Sequence, residues 1–88
     1  MHKQHLKVSN QLGLHARAAM KLSDLATRYQ SKIHVLHQGR RLDAKDIMIV
    51  MSLGASHGSL LEFHFEGSDE LEAFNAIEQL FLDKFGED

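Results

Sequence analysis

LLEFHFEGSDELEAFNAIEQLF, residues 60–81, switches from one periodicity to another, and that switch decides the fold. Through residue 66 the apolar positions alternate. Leu61, Phe63 and Phe65 share one face, and Glu62, His64 and Glu66 share the other. A period of two is strand geometry, and a charged second face marks a sheet that is dry on one side only. Beyond Gly67 the apolar residues Leu71, Phe74, Ile77, Phe81 and Phe85 recur at helical spacing. They predict a helix with one apolar stripe. Asp69 with Glu72 predicts a capping box at its start, and Gly86 its end.

The same two patterns recur upstream. Residues 5–9 (HLKVS) put Leu6 and Val8 on one face of a strand. Residues 32–37 (KIHVLH) do the same with Ile33 and Val35, and Gly39 turns the chain into a short strand at 40–43 (RRLD). Gly13 marks a turn within 10–15. Residues 16–29 (ARAAMKLSDLATRY) read as a helix. At about 100° per residue, Ala18, Ala19, Leu22, Leu25, Ala26 and Tyr29 fall in one stripe. Met20 falls on the opposite side, beside Ala16, Asp24 and Thr27. Residues 47–53 (IMIVMSL) are apolar nearly throughout, and periodicity does not choose between a buried strand and a short helix. A helix of two turns cannot bury every side, so some of Ile47, Met48 and Met51 would face outward. Residues 54–59 (GASHGS) are a loop. The order is β-α-β-β-(α?)-β-α. Both long helices pack on the dry face of one antiparallel or mixed sheet, which makes a two-layer α+β sandwich.

Composition bounds the rest. Eighty-eight residues allow one domain, spanning 1–88, and 43% apolar content supports a core. With no cysteine, a disulfide framework and a thiolate zinc site are both excluded. No apolar run reaches the roughly 18 residues of a membrane span. The opening MHKQHLKVS lacks the apolar core of a secretory signal, so the expected location is cytoplasmic. Ten basic and twelve acidic residues are interspersed, with one basic doublet, Arg40-Arg41. That mixture argues against nucleic acid as a partner. The lack of exposed aromatic pairs on the strands argues against a base-stacking module.

Seven histidines invite a metal or pH-sensing reading. Position removes most of it. His2 and His5, like His34 and His37, are three apart on strands, so each pair points to opposite faces. His57 lies in a loop and His64 on a wet strand face. No metal-ligand motif is present. These six read as solvated surface histidines, and neither a metal nor a cofactor is expected; the alternative is chance metal binding across paired strands, where β pairing could align His34 or His2 with another histidine. His15 differs because it directly precedes the first helix. Unpaired backbone N–H groups and the positive dipole end gather there. They disfavour imidazolium, which keeps a ring nitrogen nucleophilic, and they can hold a phosphate bound to it. Arg17 adds a fork of donors. Histidine, helix N-terminus and arginine together make a minimal phosphoryl-acceptor site. The alternative is a weak cap residue.

GLHARAAMKL (residues 13–22) resembles the phosphorylation-site segment of the HPr family, the phosphocarriers of the phosphoenolpyruvate-dependent phosphotransferase system. AKDIMIVMSLGASHGSLLEFHFEG (residues 44–67) resembles the second half of the same domain. HAR-A-A, IMxVMxL and the closing FGED are more similar to the nitrogen-branch carrier than to the sugar-branch one. The resemblance implies an open-faced β-sandwich, with a four-stranded antiparallel sheet and three helices on one face. Residues 47–53 would then be a short helix. It implies that enzyme I phosphorylates His15, that Arg17 with the N–H groups of Ala16 and Ala18 stabilises the phosphoryl group, and that an enzyme IIA receives it. The carrier would be a monomer and a stoichiometric substrate, not a stand-alone enzyme. An HPr-like regulator that binds partners unphosphorylated would share every one of these residues.

The resemblance also accounts for Met20. Family members dock through an apolar surface beside the histidine, and the matching positions are Ala16, Met20, Ile47, Met48 and Met51. Adaptable methionines suit a surface that meets several partners. Two positions depart from the family. Ala18 stands where many members have proline. Asp46 stands where kinase-regulated members carry a serine, so regulation at a hydroxyl is not expected. Asp46 is expected to cap the short helix, and its charge beside the docking surface is a candidate for tuning partner choice.

Overall fold

The computed structural model describes residues 1–87; Asp88, the last residue of the closing FGED, lies outside the described residues. The elements are β1 (His2–Lys7), α1 (Ala16–Ala26), β2 (Lys32–His37), β3 (Arg40–Asp43), α2 (Ile47–Met51), β4 (Leu60–Glu66) and α3 (Glu70–Leu82). A short 3-10 turn, Lys84–Gly86, follows. The strand order is β1-β4-β2-β3, and every pairing is antiparallel. The last strand therefore lies between the first and second, which makes β1-α1-β2 a split crossover.

The three helices cover one face of this sheet. Leu61, Phe63 and Phe65 of β4 point into the core with Ile33 and Val35 of β2 and Leu6 of β1. Above them lie Ala18, Ala19, Leu22 and Ala26 of α1, Val50 of α2, and Ala73, Ile77 and Phe81 of α3. Phe81 meets Phe63 edge-on, with ring centroids 5.5 Å apart, and Phe74 meets Phe65 likewise at 5.7 Å. This geometry aligns ring edges with ring faces. The α1 stripe is the expected one, with Leu25 and Tyr29 partly buried at its margin. Residues 47–51 are helical, so the ambiguous apolar run resolves as a helix that buries Val50 and exposes Met48 and Met51.

Several boundaries differ from the sequence reading. β1 starts at His2 rather than residue 5, because His2 pairs with Phe65 and its ring packs on Phe74 at 4.5 Å. α1 stops at Ala26 rather than 29. Arg28 and Tyr29 donate to Leu25 and Ala26, three residues back, so the last turn tightens out of the α-helix. α3 ends at Leu82, and Phe85 belongs to the turn beyond it. Leu71 is exposed, since it sits about 120° from Ile77 around the helix axis. The capping box is not formed. Asp69 turns away from its own helix and accepts the N–H groups of Gln30 and Ser31 at 2.9 Å each, as well as the Ser31 hydroxyl. Glu70 instead accepts the N–H of Gly67 at 3.1 Å.

Candidate functional site: the N-terminus of α1

His15 is the N-cap of α1, with φ −73° and ψ 179°. Those extended angles let its carbonyl accept the first helical bond, from Ala19 N–H at 2.8 Å. The ring folds back over the helix end. Nδ1 accepts the N–H of Arg17 at 3.3 Å, and Nε2 lies 2.5 Å from a carboxylate oxygen of Glu87. A nitrogen that close to an ionised carboxylate carries the proton, so the Arg17 contact leaves Nδ1 with the lone pair.

The loop before His15 is held by its own chemistry. Gly13 has φ +71°, and a Cβ there would lie 2.6 Å from the carbonyl oxygen of Ala55, which already accepts the N–H of Leu14 at 2.9 Å. Only glycine fits that close approach. Asn10 is fully buried, and its amide donates to the Gly13 carbonyl at 2.8 Å and to Glu87 at 3.0 Å. The Asn10 amide, and behind it the His15 ring N–H and the Arg17 charge, hold the Glu87 carboxyl below its ordinary value.

Glu87 reaches this place through an unusual backbone. Lys84, Phe85 and Gly86 are all left-handed, with φ of +55°, +56° and +74°. The two non-glycine residues cost about 1–2 kcal/mol each. Burial offsets this, since Phe85 is fully enclosed and a phenyl ring contributes about 1.5–3 kcal/mol. Its ring lies 4.9 Å from that of Phe81, and Lys21 Nζ donates to its carbonyl at 2.6 Å.

The structure thus brings His15, Ala16, Arg17 and Ala18 into one helical turn. The methyl group of Ala18 is buried, so only its N–H can face the helix end. Arg17 is exposed and lines a cleft of about 470 Å³ with Gln11, Leu12, Gly86 and Glu87. A larger cleft of about 520 Å³ lies among Lys32, His34, Arg41, Asp43, Lys45 and Glu66, and contains none of these residues. Beside the turn, α1 and α2 pack against each other, and Ser23 Oγ donates to the Lys45 carbonyl at 2.9 Å. Met20, Met48 and Met51 are 55%, 70% and 41% exposed, Ala16 is exposed and Ile47 half-buried. Asp46 caps α2, accepting from Met48 and Ile49 N–H at 3.0 and 3.3 Å.

The other histidines are less uniform than expected. His5 and His57 are exposed. His64 is buried, because β4 is flanked on both sides and its side chain lies between those of Lys3 and His34 in register; it contacts Glu62 at 2.7 Å. Burial, with the Arg41 charge beside it, pushes the His34 imidazole down. No group of three or more metal-ligating side chains forms among the described residues. Asn10 and Glu87 were not singled out from the sequence as site residues. Nothing in the pattern signals that residue 87 returns to residue 15.

A family profile described as the phosphorylation site of the PTS HPr component matches residues 2–83. A phosphocarrier protein HPr of Xylella fastidiosa strain Temecula1 is 42% identical over 88 residues, covering 100% of this chain and 99% of the relative. A phosphocarrier protein NPr of Proteus mirabilis is 37% identical over 86 residues, covering 97% and 96%. A crystal structure of HPr from Thermoanaerobacter tengcongensis superposes with a TM-score of 0.94 at 39% identity, covering 100% of this chain and 99% of that one. With nearly the whole chain matched in sequence and fold, the protein belongs to the HPr family of phosphocarriers of the phosphotransferase system.

Proposed function

We propose that this protein accepts a phosphoryl group on Nδ1 of His15 from enzyme I and passes it to an enzyme IIA. The observation that carries the reading is the pair of contacts on His15, Arg17 N–H on Nδ1 and Glu87 on Nε2, at a helix N-terminus. Nδ1 attacks phosphorus in line as the donor's P–N bond breaks and that electron pair returns to the donor ring. The Arg17 N–H then turns from the ring nitrogen to a phosphoryl oxygen. The N–H groups of Ala16 and Ala18 and the Arg17 guanidinium supply further donors. Ala16, Met20, Ile47, Met48 and Met51 form the docking surface. The carrier acts as a monomer in the cytoplasm.

The three segments HAR-A-A, IMxVMxL and FGED support the nitrogen-regulatory branch. The relatives named HPr favour a second reading, the general sugar-branch carrier. Phosphoenolpyruvate with enzyme I of each branch, read by intact mass, tests both. One acid-labile phosphate is expected in the wild type and none in His15→Ala, and the faster enzyme I assigns the branch. Absence of uptake from either overturns the carrier reading.

A further inference from the structure

The phosphocarrier reading uses the Glu87 contact on His15 but gives Glu87 itself no role, and the turn Lys84–Gly86 is what sets it there. That turn spends two left-handed non-glycine residues to place one carboxylate on one imidazole. Strained backbone persists where its surroundings over-determine it. Here buried Phe85, the Lys21 ammonium on its carbonyl and the Asn10 amide on Glu87 do so.

We infer that Glu87 is a positioning residue for phosphoryl transfer: its carboxylate fixes His15 as the Nε2–H tautomer and neutralises the charge the ring gains when Nδ1 bonds to phosphorus. The inference rests on the phosphocarrier reading. Its geometry is the pair of opposed contacts on the ring, a donor facing Nδ1 and an acceptor facing Nε2. With the tautomer reversed, both contacts would be mismatched, N–H against N–H on one side and lone pair against carboxylate on the other.

The neutral ring enters the reaction with its proton on Nε2. As the new P–N bond forms, the ring keeps that proton and becomes cationic. The Glu87 carboxylate faces the new charge across one hydrogen bond, as a carboxylate faces imidazolium in a hydrolase triad. In the onward step the P–N bond breaks and its electron pair returns to Nδ1, so the ring leaves as neutral imidazole. Keeping Nε2 protonated in the phosphorylated state therefore also keeps the group transferable. The charged groups near the pair are Arg17 and Lys21 of α1; the Arg17 side chain lines a cleft with Glu87 and its charge acts on that carboxylate, and Lys21 is engaged by the Phe85 carbonyl.

The test uses full-length Glu87→Gln and Glu87→Ala. Nitrogen-15 NMR of the unphosphorylated His15 ring reports the tautomer, and single-turnover transfer from phosphorylated enzyme I reports the rate. The wild type is expected to show Nδ1 unprotonated and Nε2 protonated. Glu87→Gln keeps that tautomer through its amide oxygen but loses the charge, so transfer slows by about ten- to a hundredfold. Glu87→Ala mixes the tautomers and slows transfer at least as much. Thermal melts confirm that both variants are folded. A wild-type ring protonated on Nδ1, or rates within twofold of wild type in both variants, overturns the inference. Failure of the wild type to load from any enzyme I defeats the carrier reading instead. The tautomer measurement needs no donor and still decides whether Glu87 sets the ring.

Discussion

Asp46 Oδ1 accepts the backbone N–H of Met48 at 3.0 Å, so the cap of α2 and its most exposed methionine share one turn. The carboxylate satisfies N–H groups that would otherwise point to solvent. Asp46→Ala is expected to lower stability by about 1 kcal/mol, and Asp46→Ser to retain most of it, because serine caps nearly as well. Urea unfolding of the three proteins measures this. Enzyme I affinity is expected to be equal for Asp46→Ser and wild type. A clear difference would assign the Asp46 charge a part in partner choice.

The methionine surface makes a separate prediction. Met48 is 70% exposed and contributes little to the core, so Met48→Asp is expected to change stability by less than about 0.5 kcal/mol. A charge placed inside an apolar interface is costly. Binding to enzyme I, followed by calorimetry, is therefore expected to weaken by at least about tenfold. Unchanged binding in both Met48→Asp and Met20→Asp would remove α2 and the outer face of α1 from the docking surface.

Asp69 gives the fold a defined acid sensitivity. The Ser31 hydroxyl and the Gln30 N–H hold its carboxyl below the ordinary aspartate value. A depressed folded value means the contribution is complete above the unfolded value, near pH 4, and is lost as pH falls through the folded one. Asp69→Asn is expected to be less stable than wild type at pH 7, with the gap closing below pH 4. Melting temperatures across pH 2–7 check it, and a gap that stays constant with pH would contradict it. Gly67 shares this corner, where a Cβ would lie 2.7 Å from Cα of Ser31.

The alternation of Leu61, Phe63 and Phe65 and the stripe of Ala18, Ala19, Leu22 and Ala26 made the two layers legible, because a core face imposes its period on the sequence. His15 was legible for a local reason, its place directly before a helix. What was not legible depends on distant contacts. Asp69 looks like a cap in sequence, yet it serves Gln30 and Ser31 across 39 and 38 residues. His64 alternates onto the wet face, yet cross-strand neighbours bury it. The end of α3 was misplaced because Phe85 fits the apolar stripe while its backbone is left-handed, and one hydrophobic residue cannot announce both. Asn10 and Glu87 were missed for the same reason: their meeting with each other and with His15 is set by the fold and by no local pattern.

One nitrogen among seven histidines is expected to carry the phosphoryl group. The most direct measurement loads the nitrogen-15-labelled protein with phosphoenolpyruvate and enzyme I. It then identifies the modified atom by phosphorus–nitrogen coupling in NMR. One phosphoryl group, on Nδ1 of His15, is expected. Phosphorylation at Nε2, on any of the other six histidines, or nowhere would contradict it.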